Sequence, residues 1–221
     1  MEQFLSTSCF IDSASPEVMD FAHHAAAGSD DDADRARRLF RAVRDQIIYD
    51  PYVNFADSAN YRASGVLAAG RGFCVGKAAL LAASARVVGI PARVGYADVK
   101  NHLTSPRLYD LIKTDVFIWH SYAELFVSDR WFKATPAFHS ALCERLGLAP
   151  LDFDAQSDSL FHAFDRTGRR HMEYLGDRGT FADVPFETML ADFKARYPSL
   201  MSGAGIAGDF GAEAVAANEQ A

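Results

Sequence analysis

The chain has 221 residues, of which 49% are hydrophobic and 23% are charged, as in a globular protein with one well-filled core. Its formal net charge of −7 argues against a nucleic acid or an acidic membrane surface as partner, since both select clustered basic residues. No apolar run is long enough to span a membrane, and no secretory signal is visible at the N-terminus. The three cysteines are far apart and odd in number, which predicts free thiols and a cytoplasmic location.

Helices are predicted for the N-terminal part of the chain. The first begins at Pro16 with Ser15 as its N-cap, and an acidic run at 30–34 opens the second. Apolar residues at helical spacing give the second helix a buried stripe, formed by Ala36, Leu39, Phe40, Val43 and Ile47. A short helix or turn is predicted within residues 61–70.

The clearest helix prediction covers residues 75–88. Apolar positions recur there at intervals of four and three, namely Cys74, Ala78, Leu81, Ala85 and Val88. Cys74 is thereby predicted in the first turn, at the edge of the inward face. A strand follows at 92–99, and the long aromatic and β-branched run 115–127 is the best strand in the sequence. A turn at 128–130 then returns the chain antiparallel over 131–138.

The C-terminal part of the chain is irregular and aromatic. We predict that residues 150–200 wrap the core and end in a helix near 186–197, and that the small, polar residues 201–221 form a mobile tail. A helix followed by successive strands, without repeating βα units, indicates an α+β arrangement. We therefore expect a single domain over residues 1–200, with N-terminal helices at 13–50.

The glycine-rich stretch 70–77 fits either a phosphate-binding loop or a cysteine nucleophile. A phosphate loop needs glycine at position 71 and a hydroxyl at 78, but these positions hold Arg71 and Ala78. The thiol of Cys74 remains. A helix N-terminus stabilises a thiolate through its dipole and its unpaired N–H groups. The same N–H groups can hold the oxyanion that forms when a thiolate attacks a carbonyl.

An imidazole near the thiol would complete such a site by moving the proton from sulfur to the leaving group. His120 is the candidate, because it lies in the middle of the predicted strand, where a polar ring is costly to bury. If the pair forms, Cys74 should be alkylated faster than Cys9 or Cys143. The local pattern also fits a structural interpretation, in which the cysteine and the histidine are both ordinary core residues.

The order of these motifs resembles the transglutaminase-like superfamily, which has the papain-like cysteine-proteinase fold. That family's pattern runs Gly-x-Cys, an alanine- and leucine-rich helix, Gly-Ile-Pro-Ala-Arg, a strand with His and Glu four residues apart, and Trp-x-x-x-Asp-Pro. This chain has GFCVGKAALLAASARVVGIPAR at 72–93, HSYAE at 120–124 and WFKATP at 131–136. The flanking segments are similar to a bacterial subgroup of the superfamily.

The resemblance implies a nucleophile-bearing helix packed on an antiparallel sheet, with the Cys74–His120 pair in a core at 65–140. It implies cysteine-dependent acyl transfer on an amide or peptide through a thioester, as in a thiol hydrolase or a transglutaminase. A peptide, a protein or a small amide would be the substrate, and no metal or other cofactor is predicted. The alternative is a non-catalytic module of the same fold that binds a peptide or a partner.

The family's third catalytic residue is an aspartate before a proline, and here that position holds Thr135. Threonine can accept a hydrogen bond from the imidazole, but it carries no charge to stabilise an imidazolium. Glu124 shares a strand face with His120 but lies roughly 13 Å along the strand, too far to replace the aspartate. The remaining alternatives from loops or strand edges are Asn101, His102 and Asp115.

Further residues near the predicted pair have two interpretations each. Trp119 and Tyr122 would wall a substrate groove, or they would pack in an aromatic core. Asn101 and His102 would supply polar contacts at the rim of the site, or they would belong to a capped turn. A metal site is not predicted, since the spacing typical of metal ligands is missing from His139, Cys143, His162 and His171.

Overall fold

The computed structural model describes residues 1–102, 104–201 and 208–213. The helices are α1 Pro16–Ala25, α2 Asp32–Gln46, α3 Ala63–Ala69, α4 Cys74–Val87, α5 Pro106–Ile112, α6 Ser140–Arg145 and α7 Phe186–Arg196. The strands are β1 Ile48–Tyr49, β2 Arg71–Gly72, β3 Ala92–Asn101, β4 Val116–Val127, β5 Arg130–Ala134 and β6 Met172–Phe181. Short 3-10 helices occur at Glu2–Phe4 and Ser58–Tyr61.

A four-stranded antiparallel sheet in the order β5-β4-β3-β6 forms one layer, and α4 packs across β3 and β4. The strands β1 and β2 form a separate parallel pair. In the main sheet, His120 of β4 lies opposite Ala97 of β3. The predicted α+β class, with the nucleophile-bearing helix on an antiparallel sheet, is confirmed.

Helix α4 is buried on every side rather than along one stripe. All its residues from Cys74 to Arg86 are buried, because α1, α2 and α3 pack on the sides that the sheet leaves free. The two buried cationic side chains of the helix, Lys77 and Arg86, donate hydrogen bonds to backbone carbonyl groups. Lys77 Nζ donates to the carbonyls of Arg44 (2.9 Å) and Ile47 (2.5 Å), and burial lowers the pKa of Lys77 to about 7.

Gly76, the third glycine of the Gly-rich stretch, allows close packing at the start of α4. A Cβ atom at Gly76 would collide with the backbone carbonyl of Asn60 and with the side chain of Val66. The absence of a side chain therefore lets the first turn of α4 approach the 58–66 segment directly. Gly70 has a φ of 62° and ends α3 in the left-handed conformation.

Strands β4 and β5 are joined by a two-residue hairpin loop. Ser128 and Asp129 have φ values of 50° and 61°, as in a type I′ turn, and Val127 lies opposite Arg130. If this register is continued past Ala134, Thr135 lies opposite Tyr122. Since side chains alternate along a strand, Thr135 then shares a sheet face with His120 as a diagonal neighbour.

The C-terminal part contributes a strand that sequence reasoning missed. Strand β6 lies within the segment predicted to wrap the core, and it pairs with β3 through two register shifts, at Tyr96–Ala97 and Asp98–Val99. The final predicted helix, at 186–197, is observed as α7. Among the described residues, no helix combines the length and the apolar character needed to cross a bilayer.

One cluster of buried apolar side chains extends from Ile11 to Leu200. We propose on this basis that residues 1–200 form a single domain. Much of the segment predicted as a tail, 202–207 and 214–221, lies outside the described residues. The described part, residues 208–213, contains one helical turn, and its Phe210 packs against the domain.

Candidate active site

Cys74 is the first residue of α4 and follows Phe73, whose extended backbone caps the helix. Its side chain lines a cavity of about 60 Å³ together with His120 of β4. The other lining residues are mostly apolar and include Tyr49, Phe55, Leu108, Trp119, Phe193 and Tyr197. Only 9% of Cys74 is exposed, so the nucleophile candidate lies in a covered apolar cavity.

The thiol of Cys74 is neutral at pH 7. Burial raises its pKa from 9.0 to about 11, since a desolvated thiolate is unfavourable. Hydrogen bonds from the backbone N–H groups of Ser121, Val75 and Cys74 itself lower the pKa of this thiol, but by less than burial raises it. The stabilisation expected at a helix N-terminus is therefore present, but burial outweighs it.

The imidazole of His120 is neutral as well. Burial lowers its pKa to about 4, and the neighbouring His162 adds to that shift. Within the described residues, the buried Nε2 atom of His120 has no hydrogen-bond partner. The structure thus brings Cys74 and His120 into one cavity as a neutral thiol and a neutral imidazole, rather than as an ion pair.

Three tyrosines lie near the sulfur. A negative charge on Cys74 would raise the pKa of Tyr49, Tyr61 and Tyr96, in each case after burial as the larger cause. The hydroxyl of Tyr61 donates to the carbonyl of Phe55 at 2.9 Å. That of Tyr96 is buried, and the side chain of Ser121 lies near it.

Thr135 lies near His120 but is not among the residues that line the Cys74 cavity. The two residues line two further small cavities together, one of them also lined by Phe138 and His162. Thr135 is 3% exposed, and its Oγ1 has no hydrogen-bond partner among the described residues. Its backbone N–H donates to the carbonyl of Ser159 at 2.8 Å. Oγ1 of Thr135 and Nε2 of His120 are thus both unpaired among the described residues, and none of the described residues that line these two cavities carries a carboxylate.

Trp119 lines the Cys74 cavity and has an unusual backbone, with a φ of 60° at a bulge of β4. Its backbone N–H donates to Asp98 (3.2 Å) and its indole N–H to Asp192 (2.8 Å). Arg178 binds both carboxylates and lies over the indole ring at 4.7 Å. No local sequence pattern connects these residues, because they come from β3, β4, β6 and α7.

Tyr122 lies on the outer side of the sheet rather than in the Cys74 cavity. Its ring covers Gly95, and Lys133 Nζ lies 5.0 Å from the ring centroid. It lines one of the small cavities that His120 and Thr135 share. Glu124 is bound to Arg93 at 2.5 Å, so the exclusion of Glu124 as a partner of His120 agrees with the structure.

The predicted rim residues are held in other contacts. Asn101 ends β3 opposite Met172, and His102 Nε2 lies 3.0 Å from the Glu173 carboxylate. Asp115 forms an ion pair with Lys100 at 3.2 Å. None of the three alternatives Asn101, His102 and Asp115 is among the described residues that line the Cys74 cavity.

A second cysteine–histidine contact occurs at Cys143, whose sulfur lies 3.8 Å from Nε2 of His162. That Nε2 atom is 2.7 Å from the carbonyl of Ala149, so it carries a proton and donates it there. It cannot also accept the thiol proton, and Cys143 is 0% exposed. This contact is structural. Within the described ranges, no group of three His, Cys, Asp or Glu residues is arranged to hold a metal ion.

The solved structures that resemble the chain weakly include two from named organisms. A candidate cysteine protease from Cytophaga hutchinsonii matches 80% of this chain at 15% identity and a TM-score of 0.46. A candidate protease from Parabacteroides distasonis matches 57% at 19% identity and a TM-score of 0.40. The matched regions span 53% and 24% of those proteins, respectively. No curated protein matches the chain.

The sequence profile of the transglutaminase-like superfamily matches residues 19–136, which is more than half of the chain. The match includes Cys74, His120 and Thr135, along with the helix and strands that carry them. The chain therefore belongs to the transglutaminase-like superfamily.

Proposed function

We propose that this protein is a cysteine-dependent acyl-transfer enzyme that acts on an amide or peptide. The observation that carries the proposal is that Cys74, at the start of α4, and His120, on β4, line one cavity. Membership of the transglutaminase-like superfamily supports the same chemistry. All three cysteines are free thiols, which supports a cytoplasmic location, where thiols stay reduced.

The reaction begins with a neutral pair, so proton transfer accompanies formation of the carbon–sulfur bond. The thiol of Cys74 adds to the carbonyl carbon while His120 takes its proton, and the backbone N–H of Cys74 donates to the oxyanion. The intermediate collapses to a thioester as the amine leaves with the proton from His120. Water or a second amine then accepts the acyl group, and the thiol is regenerated. We favour water, since no separate amine-binding site is evident in the described part of the chain.

The test is a search for the thioester. The protein is incubated with a mixture of peptides and small amides, quenched in acid and digested, and mass spectrometry locates any acyl group. We expect the adduct on Cys74, and we expect the Cys74→Ala variant to lose both adduct and turnover. The matched control is Cys143→Ala, which removes the other buried thiol and should retain both. Turnover that survives Cys74→Ala would overturn the proposal.

Thr135 gives a second prediction, because it stands where the family has a carboxylate. In Thr135→Asp, the new charge should favour the imidazolium of His120, raise its pKa by about one unit and increase turnover about tenfold. Thr135→Asn is the control, because it has a similar shape and no charge. NMR titration of the His120 ring and pH–rate profiles would measure both effects. Equal behaviour of the two variants would show that Thr135 does not face the imidazole.

A binding module is the second candidate function, favoured by the uncharged Thr135 and by the neutral, covered thiol. In that case the cavity would recognise a peptide without cleaving it. A peptide that binds wild type and Cys74→Ala equally, and is released unchanged by both, would support this function. A thioester on Cys74 would exclude it.

A further inference from the structure

Residues 208–213 pack against aromatic side chains of the domain. The ring of Phe210 lies 5.6 Å from the ring of Tyr49, 6.3 Å from Tyr52 and 6.4 Å from Phe138, measured between centroids. Tyr52 and Phe138 are each less than a tenth exposed with the segment in place. An aromatic side chain at position 210 therefore fills a pocket that is itself aromatic.

An acidic side chain secures the other end of the segment. The carboxylate of Glu213 accepts hydrogen bonds from the hydroxyl of Tyr52 and from Arg107 Nη1, the latter at 2.7 Å. Arg107 also lies over the Tyr52 ring, at 5.0 Å from its centroid. We refer to Tyr49, Tyr52, Phe138 and Arg107 as the Phe210 groove. It contacts an aromatic residue, Phe210, and a carboxylate three positions later, that of Glu213.

The Phe210 groove adjoins the Cys74 cavity. Tyr49 belongs to both, and Arg107 lies on α5, which also supplies Leu108 to the wall of the cavity. Beside Phe210, a separate cavity of about 360 Å³ is lined in part by Arg71 and Arg145. Asp50, which is bound to Arg71 at 3.2 Å, also lines this cavity, so a longer peptide would have room and charged groups of both signs next to it.

We propose that the Phe210 groove is the docking site for a peptide substrate with an aromatic residue and an acidic residue three positions later, and that residues 208–213 occupy it in the resting protein. The inference rests on the proposed function for the role of the peptide as substrate. An intramolecular segment has a high effective concentration, so an external peptide must compete with it. The competition makes Phe210 and Glu213 determinants of substrate affinity although neither lies in the Cys74 cavity.

The test is a binding measurement on the full chain. A fluorescent peptide, Gly-Asp-Phe-Gly-Ala-Glu with blocked ends, is titrated with wild type and with the double variant Phe210→Ala/Glu213→Gln, and polarisation is recorded. We expect a Kd at least about tenfold lower for the double variant, because the internal competitor is weakened. The matched control is Glu187→Gln, which changes an exposed glutamate of α7 and should behave as wild type.

Specificity is tested in the same double variant. Peptides with Ala for Phe or Gln for Glu should each bind about tenfold more weakly, and adding Arg107→Met should remove the preference for Glu over Gln. Equal affinities for the three peptides, or a Glu preference unchanged by Arg107→Met, would overturn the proposal. Absence of binding to the double variant would overturn it as well. Because the readout is binding, failure to find a thioester would reject the proposed enzyme without affecting this result.

Discussion

Iodoacetamide at pH 7 is expected to alkylate Cys74 about a hundred times more slowly than an ordinary accessible thiol. Burial raises the pKa of Cys74 from 9.0 to about 11, so only about one molecule in ten thousand holds the thiolate at that pH. The rate should increase about tenfold with each pH unit between 7 and 10. Quenched reactions analysed by peptide mass spectrometry measure this rate for each cysteine separately.

The two other cysteines, Cys9 and Cys143, serve as internal references for the alkylation rate of Cys74. Cys9 is exposed and should react first, while the fully buried Cys143 should react slowly. This order reverses the expectation from the sequence that Cys74 would be the fastest thiol. A Cys74 rate that is high and constant from pH 7 to 9 would contradict it, because it would mean that a thiolate already exists beside a protonated His120.

We expect the protein to lose stability as the pH falls from 6.5 to 5, which is above the pH range in which ordinary carboxylates titrate. Burial lowers the pKa of His120 from 6.5 to about 4 and that of His171 to about 3. Below pH 6.5 the unfolded chain binds protons that the folded chain does not, so stability present above that pH is lost as the pH falls. Each histidine then removes about 2 kcal/mol from the free energy of unfolding at pH 5. Urea denaturation at pH 7, 6 and 5 measures this loss.

Substitution of His171 measures how much of the loss of stability in acid comes from this histidine. His171 is 3% exposed and its Nδ1 has no partner among the described residues, so a leucine fits the same apolar surroundings without a proton site. In His171→Leu the loss of stability between pH 7 and 5 should be smaller than in wild type by about 2 kcal/mol, the share of His171 itself, while the other buried histidines keep theirs. His24→Leu, at an exposed position, is the control. A full-sized loss in His171→Leu would show that other groups cause the acid sensitivity.

The elements that could be predicted from sequence are those whose signal is local. Helix α4 and strand β4 have continuous apolar runs, and both were predicted to within one residue at each end. Strand β6 was missed because it contains Gly176, Asp177, Arg178 and Gly179, which lack any alternating apolar pattern. It forms a strand because its backbone pairs with the edge of β3, and that pairing depends on the tertiary structure rather than on the local sequence.

For the candidate site, too, the residues with a local sequence signal could be predicted, and the properties set by distant segments could not. Cys74 and His120 were identified from motifs close to each residue, and the structure places both in one cavity. Their pKa values could not be predicted, because the burial that sets them comes from distant segments such as α5 and α7. The contacts of residues 208–213 were also out of reach, since a short segment of small residues around one phenylalanine resembles an unstructured tail.

The contact at Gly76 has a consequence for how the nucleophile is aligned. Besides the Val66 side chain, a methyl at this position would meet the peptide carbonyl of Asn60, which cannot rotate away as a side chain does. Relief would require the start of α4 to slide away from Asn60, and the sulfur of Cys74 would travel with it. The lack of a side chain at position 76 therefore lets α4, and the nucleophile at its start, lie close against the 58–66 segment, although Gly76 takes no part in the chemistry.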